Sequence, residues 1–392
     1  MILCVQVAVL HIGLGLIAPI LPLYAQTFGV SLTLVGFLLT AQALPRIFVN
    51  LPTGRWADKW GAHRTMTVAA MIVTISAFIG GLAPNYFIFF LTRLLQGVGT
   101  GMSQTSGFTY AVTVSQPESR ARYISLYQGS FLLGSGIGPV IGGFAAQYFG
   151  FQAPFFIYAI LAASVGLWMF IRLPDPRRAG DPAQTGRKTR PGFLESMRRM
   201  LGHRGVMLAS LIGFLAAYNR VGTRNMAIPL LGDVLGFSEG QIGAVLSILF
   251  IMTFVSLYFV GNVADRFGRK AVIVPSWLVV AAALVIVAFA PGYGIYVLGA
   301  TVFGLASGIG GPVPAAYVAD AADEESQGMA IGVFRTFSDF GLVVGPLVMG
   351  WMIDQSSVTV GLLVNAVTVI IVALAFWFLA PEPQAQNQPA SV

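Results

Sequence analysis

The chain has 392 residues, of which 56% are hydrophobic and 9% charged, with a formal net charge of +7. Soluble domains carry about 25% charged residues, so this composition excludes a solvated globular protein. The one cysteine, Cys4, excludes an intrachain disulfide framework.

Apolar runs of about 20 residues, the length that crosses a bilayer core as a helix, succeed one another along the chain. Span 1 runs from Met1 to about Tyr24. It shows neither a basic leader nor a cleavage site, which argues against a signal peptide and points to a very short or trimmed N-terminus. Spans 2 to 6 are expected at about 31–52, 65–83, 86–112, 123–146 and 152–173. From Pro174 to about His203, prolines alternate with Arg, Asp, Gly and Gln, a composition that cannot pack a core. Within it, 193–201 reads as a short amphipathic helix on the inner membrane surface. Spans 7 to 12 are expected at about 204–230, 238–260, 271–290, 293–318, 328–353 and 357–380. The Pro/Gln-rich tail that follows reads as disordered. The expected fold is therefore an all-α polytopic membrane protein of twelve transmembrane helices. Two six-helix bundles, 1–173 and 204–380, flank a cytoplasmic linker at 174–203, with a cytoplasmic tail at 381–392.

The positions of the 22 Lys and Arg test this count. Five lie well inside spans, away from their ends: Arg46, Arg93, Arg220, Arg224 and Arg335. The other 17 fall in loops 2–3, 4–5, 6–7 and 8–9, whereas loops 1–2, 3–4, 5–6, 7–8, 9–10 and 11–12 hold none. The positive-inside rule then places the basic loops and both termini in the cytoplasm, of a plasma (inner) membrane. Positive charge spread over several loops is a topology signal, so nucleic acid is not expected as a partner.

An internal repeat organises the chain. Gly54-Arg55-Trp56-Ala57-Asp58-Lys59-Trp60-Gly61 recurs as Gly261-Asn262-Val263-Ala264-Asp265-Arg266-Phe267-Gly268, 207 positions on. The same offset, without a gap, relates Gly29 to Gly236, Gly36 to Gly243, Gly97 to Gly304 and Gly138-Pro139 to Gly345-Pro346. Motifs recurring in one register indicate two similar halves fused head to tail.

These loops resemble the loop signature of the major facilitator superfamily. The copy at 261–270 matches well; the copy at 54–64 departs late, at Ala62-His63-Arg64. A tight loop there needs its glycines for reach and positive φ, and an aspartate is favoured near a helix N-terminus. The resemblance implies that Asp58 docks at the start of span 11 and Asp265 at the start of span 5, with Gly54, Gly61, Arg64, Gly261, Gly268 and Arg269 completing a conformational gate. Span 1, with Leu14-Gly15-Leu16-Ile17-Ala18-Pro19-Ile20-Leu21-Pro22, looks like an element of the 12-helix drug:proton antiporters in that superfamily. Span 4, with Arg93-Leu94-Leu95-Gln96-Gly97, is similar to a motif whose arginine is implicated in proton transfer in relatives; the alternative is an arginine that only holds shape. In span 5, Gly134-Ser135-Gly136-Ile137-Gly138-Pro139-Val140-Ile141-Gly142-Gly143 resembles the motif that marks exporters. Its Gly134, Gly138 and Gly142 lie on one face and admit a close neighbour, with Pro139 adding a bend.

No phosphate-binding loop supports ATP-driven transport, and no metal, cofactor or catalytic residue is expected. Proton coupling needs a titratable group in the membrane. Asp339 is the one acidic residue deep in a span, and Arg335 lies one turn before it on the same face, forming either an exchangeable pair or a permanent salt bridge. His11 is a second titratable candidate, or a packing residue. Gln42, Arg46, Asn219, Arg220 and Arg224 are candidates for the substrate cavity, the arginines of span 7 serving as anion site, gate or scaffold.

The leading reading is a monomeric secondary transporter, not an enzyme, that exports small amphipathic or hydrophobic compounds by proton antiport, with membrane lipid as its surroundings. The alternatives are an exporter or facilitator of an anionic metabolite, a lipid or lysolipid flippase, and a non-transporting sensor.

Overall fold

The structure is a computed structural model describing residues 2–114, 120–172, 198, 200, 202–310, 312–322 and 327–381. The expected linker at 174–203 and tail at 381–392 lie outside the described residues, save Arg198, Met200, Gly202, His203 and Pro381. Each expected span coincides with a helix or a broken run of helices, and no strand occurs among the described residues. Nine helices among those residues are long and apolar enough to cross a membrane, and Leu3–Ile17 and Leu32–Arg46 are shorter apolar stretches.

Span 1 breaks where its prolines fall. Ile2–Ile17 ends, Ala18 and Ile20 donate to the carbonyls three residues back at 3.2 and 3.1 Å, and Leu21–Gln26 restarts with Pro22 in its first turn. Pro19 has no N–H to continue the ladder, and a first-turn proline is tolerated because that N–H has no intrahelical partner. Spans 2 to 6 are Leu32–Trp60, Ala62–Gly81, Tyr86–Val114, Arg120–Phe149 and Ala153–Arg172. Span 7 is Arg204–Tyr218, a π-helical stretch Asn219–Ala227, and Ile228–Val234. Spans 8 to 12 are Glu239–Phe267, Arg269–Ala288, the pair Tyr293–Gly310 and Val313–Ala321, Gln327–Gln355, and Val358–Leu379.

Spans 2 and 8 are longer than the apolar pattern predicts. Their helices continue to Trp60 and Phe267, through the polar motifs expected to be loops. The break is a single glycine in each, Gly61 at φ 94° and Gly268 at φ 89°, a conformation that any side chain would strain. Polar residues end the membrane-buried part of a helix without ending the helix, because the backbone ladder continues in water.

The repeat is legible in three dimensions. Leu32–Trp60 and Glu239–Phe267 begin and end in register, 207 residues apart, as do Ala62–Gly81 and Arg269–Ala288. Tyr86 donates its hydroxyl to Leu34 O at 2.8 Å, and Tyr293, its repeat partner, to Gln241 O at 3.1 Å. In the first half, span 1 packs on spans 5 and 6, span 2 on 4, and span 3 on 4 and 6. In the second, span 7 packs on 11 and 12, span 8 on 10, and span 9 on 10 and 12. The two halves meet along two seams, span 2 with span 11 and span 5 with span 8.

The seams obey the same repeat with roles exchanged. Gly36 lies against the backbone of Pro346, and Gly243 against Pro139 O. Gly350 meets Leu32 O, and Gly143 meets Glu239 O. Thr40 donates to Val343 O at 2.8 Å, and Ser247, the repeat of Thr40, accepts from Val140 N at 2.9 Å. All these contacts lie toward the end whose loops hold no Lys or Arg, the neutral end. Toward the basic end, a Cβ on Gly332 of span 11 or Gly129 of span 5 would meet nothing within 4 Å.

Candidate functional site

Span 5 gives the scaffold. A Cβ on Gly138 would lie 2.5 Å from Ile12 O and 2.6 Å from Gly15 Cα, and one on Gly134 would lie 3.0 Å from Ile12 N. Gly142 abuts Leu16 O just as closely. These three glycines therefore let spans 5 and 1 meet backbone to backbone. The Pro139 carbonyl and Gly143 face span 8, while the Pro139 ring lies against Gly15 of span 1. The motif joins the packing of one half to the seam with the other.

Where the seams part, polar side chains from both halves converge at mid-span. The π-helical stretch carries Asn219, Arg220, Arg224 and Asn225 together. Its cause lies in the sequence just beyond it. Pro229 offers no N–H to the ladder, and Ile228 N donates to Thr223 O, five residues back, rather than four. Such wide turns recur where a helix does functional work.

Asp339 is exposed on span 11, within electrostatic reach of Arg46 on span 2, Arg335 on its own helix, and Arg220 on span 7. Arg220 is exposed, and Arg46 and Arg224 are half-buried. Arg220 is in turn close enough to Arg46 and Arg224 for their charges to interact. Exposure at the middle of a span, among charges from three helices of both halves, identifies a chamber between the halves. Arg224 holds its guanidinium over the Phe250 ring, 4.1 Å from the centroid, and donates to Asn225 Oδ1 at 3.3 Å. Phe214 and Phe340 pair at 6.1 Å, and Phe340 is exposed. Gln42 is half-buried one turn before Arg46.

Arg46 leads into the first half. Its Nη2 donates to Gln104 Oε1, Gln104 Nε2 approaches His11 Nε2 at 3.4 Å, and His11 Nδ1 lies 2.8 Å from Val7 O. A carbonyl only accepts, so Nδ1 carries the proton and Nε2 accepts from Gln104. The His11 ring is buried against Phe131, centroids 4.1 Å apart. His11 is thus buried one partner removed from the chamber.

Several expected placements are corrected. Arg93, expected to face the cavity or an acceptor, does neither. It is 0% exposed inside the first half, its guanidinium stacked between Phe89 and Phe155 at 5.4 and 5.3 Å. Its three nitrogens meet no acceptor among the described residues; the aromatic faces supply part of what an anion would. Asn219, expected in the cavity, is buried in the opposite direction. It donates to Leu215 O at 2.9 Å and accepts from Asn365 of span 12 at 2.8 Å, while Asn365 also donates to Thr223 at 2.9 Å. Asn365 is the polar residue that makes this possible, and its isolation in an otherwise apolar stretch was its signal. Arg335 and Asp339 share a face but form no close ion pair, and Arg46 and Arg220 also lie within electrostatic reach of the carboxylate. Arg269 pairs with Asp320 of its own half at 3.1 Å, and its expected role in a gate stays an expectation. Arg64 is exposed. The backbones of Gly54, Asp58, Gly261 and Asp265 are helical; the docking expected of the Asp58 and Asp265 side chains lies outside what is described. Gln104, Phe250 and Asp354 were missed because their importance depends on which helix lies opposite.

The family model of the Major Facilitator Superfamily matches residues 3–223 and again 209–392. Multidrug resistance protein 2 of Bacillus subtilis (strain 168) is 25% identical over 356 residues, covering 90% of this chain and 88% of that protein. The quinolone resistance protein NorA of Staphylococcus aureus (strain Mu50 / ATCC 700699) is 24% identical over 360 residues, covering 90% and 89%. Among solved structures, the nucleoside transporter NupG is similar with a TM-score of 0.80 at 18% identity, over 96% of this chain and 98% of that one. A D-xylose–proton symporter is similar with a TM-score of 0.76 at 15% identity, over 98% of each. With apolar helices in number, a duplicated architecture and a family match along almost its whole length, this multi-pass membrane protein belongs to the Major Facilitator Superfamily.

Proposed function

We propose that the chain is a secondary transporter that exports small amphipathic or hydrophobic compounds in exchange for protons, by alternating access between its two halves. One observation carries the reading. The halves are sealed along two repeat-related seams at the neutral end, and beyond the seams an exposed carboxylate and an exposed guanidinium lie within electrostatic reach of each other at mid-span. Such a chamber, open to one side at a time, is what a rocking carrier requires. The names of the relatives, a multidrug and a quinolone resistance protein, support export and an amphipathic substrate class.

In this reading the basic end is cytoplasmic, as the segregation of Lys and Arg directs. Both termini lie there, with residues 1–173 and 204–380 as the moving halves of a monomer. Asp339 is the coupling group, exchanging a proton as its guanidinium partners change with the tilt of the halves. The test is dye export in everted membrane vesicles with an imposed proton gradient. Accumulation that follows the gradient and collapses with a protonophore supports the proposal; accumulation indifferent to both refutes it.

A further inference from the structure

We infer that the compound carried in this chamber bears an acidic group, and that Arg220 receives it. The inference rests on the export reading and names the substrate class of the same site.

The charges at mid-span do not balance. Four guanidinium groups, Arg46, Arg220, Arg224 and Arg335, stand against one carboxylate, Asp339, among the described residues. A guanidinium does not shed its proton in proteins, and excess charge of one sign in a membrane interior is costly unless paired. A resident anion would relieve it, and a carrier's resident is its substrate.

Arg220 is the least committed of the four at mid-span. Arg46 donates to Gln104. Arg224 stacks on Phe250 and donates to Asn225. Arg335 lies a turn nearer the basic end. Arg220 is exposed in the chamber and donates no hydrogen bond among the described residues; its interactions there are electrostatic, with Asp339 and its arginine neighbours. Its planar fork of donors matches a carboxylate two bonds at a time. The surroundings suit the rest of such a molecule: Phe214 and the exposed Phe340 offer an apolar face, with the Phe250 ring under Arg224. An acid group on Arg220 with an apolar body against these rings takes Arg220 from Asp339 and leaves Arg46 as that carboxylate's partner from the other half.

The test uses two probes with the same apolar body, dansylglycine and dansylglycine amide, in everted vesicles holding the full chain. The expected result is a preference for the acid of at least about tenfold, the scale of a hydrogen-bonded charge pair. Arg220→Gln should bring the two probes level, and Arg220→Lys, which keeps the charge but not the fork, should retain part of the preference. Thermal unfolding in detergent checks that both variants fold. Equal transport of both probes by the wild type overturns the inference, as does an Arg220→Gln variant that loses both equally. Transport of the amide that requires chloride over gluconate also overturns it, by assigning Arg220 to an inorganic ion. If neither dansyl probe moves while ethidium does, the inference falls and export stands. If no dye moves, the export reading falls and the inference with it.

Discussion

The backbone N–H of Thr33 donates to the Asp354 carboxylate at 2.7 Å, across the seam between spans 2 and 11. Leu32 N donates to the other carboxylate oxygen at 2.8 Å, and the Thr33 hydroxyl joins them. At the second seam the contact recurs in the repeat register: Gly240 N donates to Gln147 Oε1 at 3.2 Å. Both seams are thus closed by a side chain that caps the first turn of the opposite helix, where N–H groups lack intrahelical partners. One cap is an anion and the other a neutral amide, so the seam with Asp354 gains the additional attraction of a charge for a helix N-terminus.

Replacing Asp354 by Asn removes the charge and one of the two acceptor oxygens that Leu32 N and Thr33 N use. The exposed setting limits the effect to about 1 kcal/mol, or about a fivefold rise in the population open at the neutral end. Spin labels at Phe87 and Phe289, which are exposed near that end in the two halves, report it as a longer-distance component in a Cys4→Ser background. An unchanged distance distribution would rule out a role for this carboxylate in holding the seam.

Gly138 and Gly332 make a matched pair. Gly138→Ala pushes a methyl into Ile12 O and Gly15 Cα, and backbone cannot step aside as a side chain can. The cost is about 1–3 kcal/mol, with loss of export. Gly332→Ala meets nothing within 4 Å, and is neutral or gains about 0.5–1 kcal/mol of helix stability. Thermal midpoints in detergent and dye export, measured together, separate the two.

Asp339→Asn removes the one mid-span carboxylate among the described residues and keeps its shape. The expected outcome is a correctly folded protein whose dye movement runs down the dye's own gradient and no longer follows the proton gradient. Uphill transport that survives in this variant would take Asp339 out of the coupling mechanism.

Asn365→Leu leaves Asn219 Oδ1 and Thr223 Oγ1, both buried, without their donor. The loss is about 1–3 kcal/mol, seen as a lower thermal midpoint. Since Asn219 opens the wide-turned stretch that carries Arg220, the affinity for a transported dye should fall as well. Asn365→Gln, which retains the amide donor, should be milder on both counts.

The sequence disclosed the helices and their kinship because both are written in local terms. Apolar length marks a span wherever it packs, and glycines such as Gly36 and Gly243 keep their register whatever lies across from them. The site was less legible. Spacing put Arg335 and Asp339 on one face, but their pairing depends on Arg46 and Arg220, which arrive from other helices. Arg93 looked like a cavity residue because a charge in a span must have a reason; the reason lies in Phe89 and Phe155, and the second of these is 62 residues away. Asn219 turned from the chamber because Asn365 was waiting behind it. The ends of spans 2 and 8 were misplaced for a different cause: polarity reports where the bilayer stops, and Trp56 and Asp58 continue the helix past that point.

Each half contributes two glycines and one proline to the seams, with Gly36 on Pro346 and Gly243 on Pro139. An operation that swaps the halves therefore swaps the two edges of contact. A rigid rotation about an axis that crosses both edges opens both through the same angle. A wedge driven into either edge then works against the same glycine-on-proline contact.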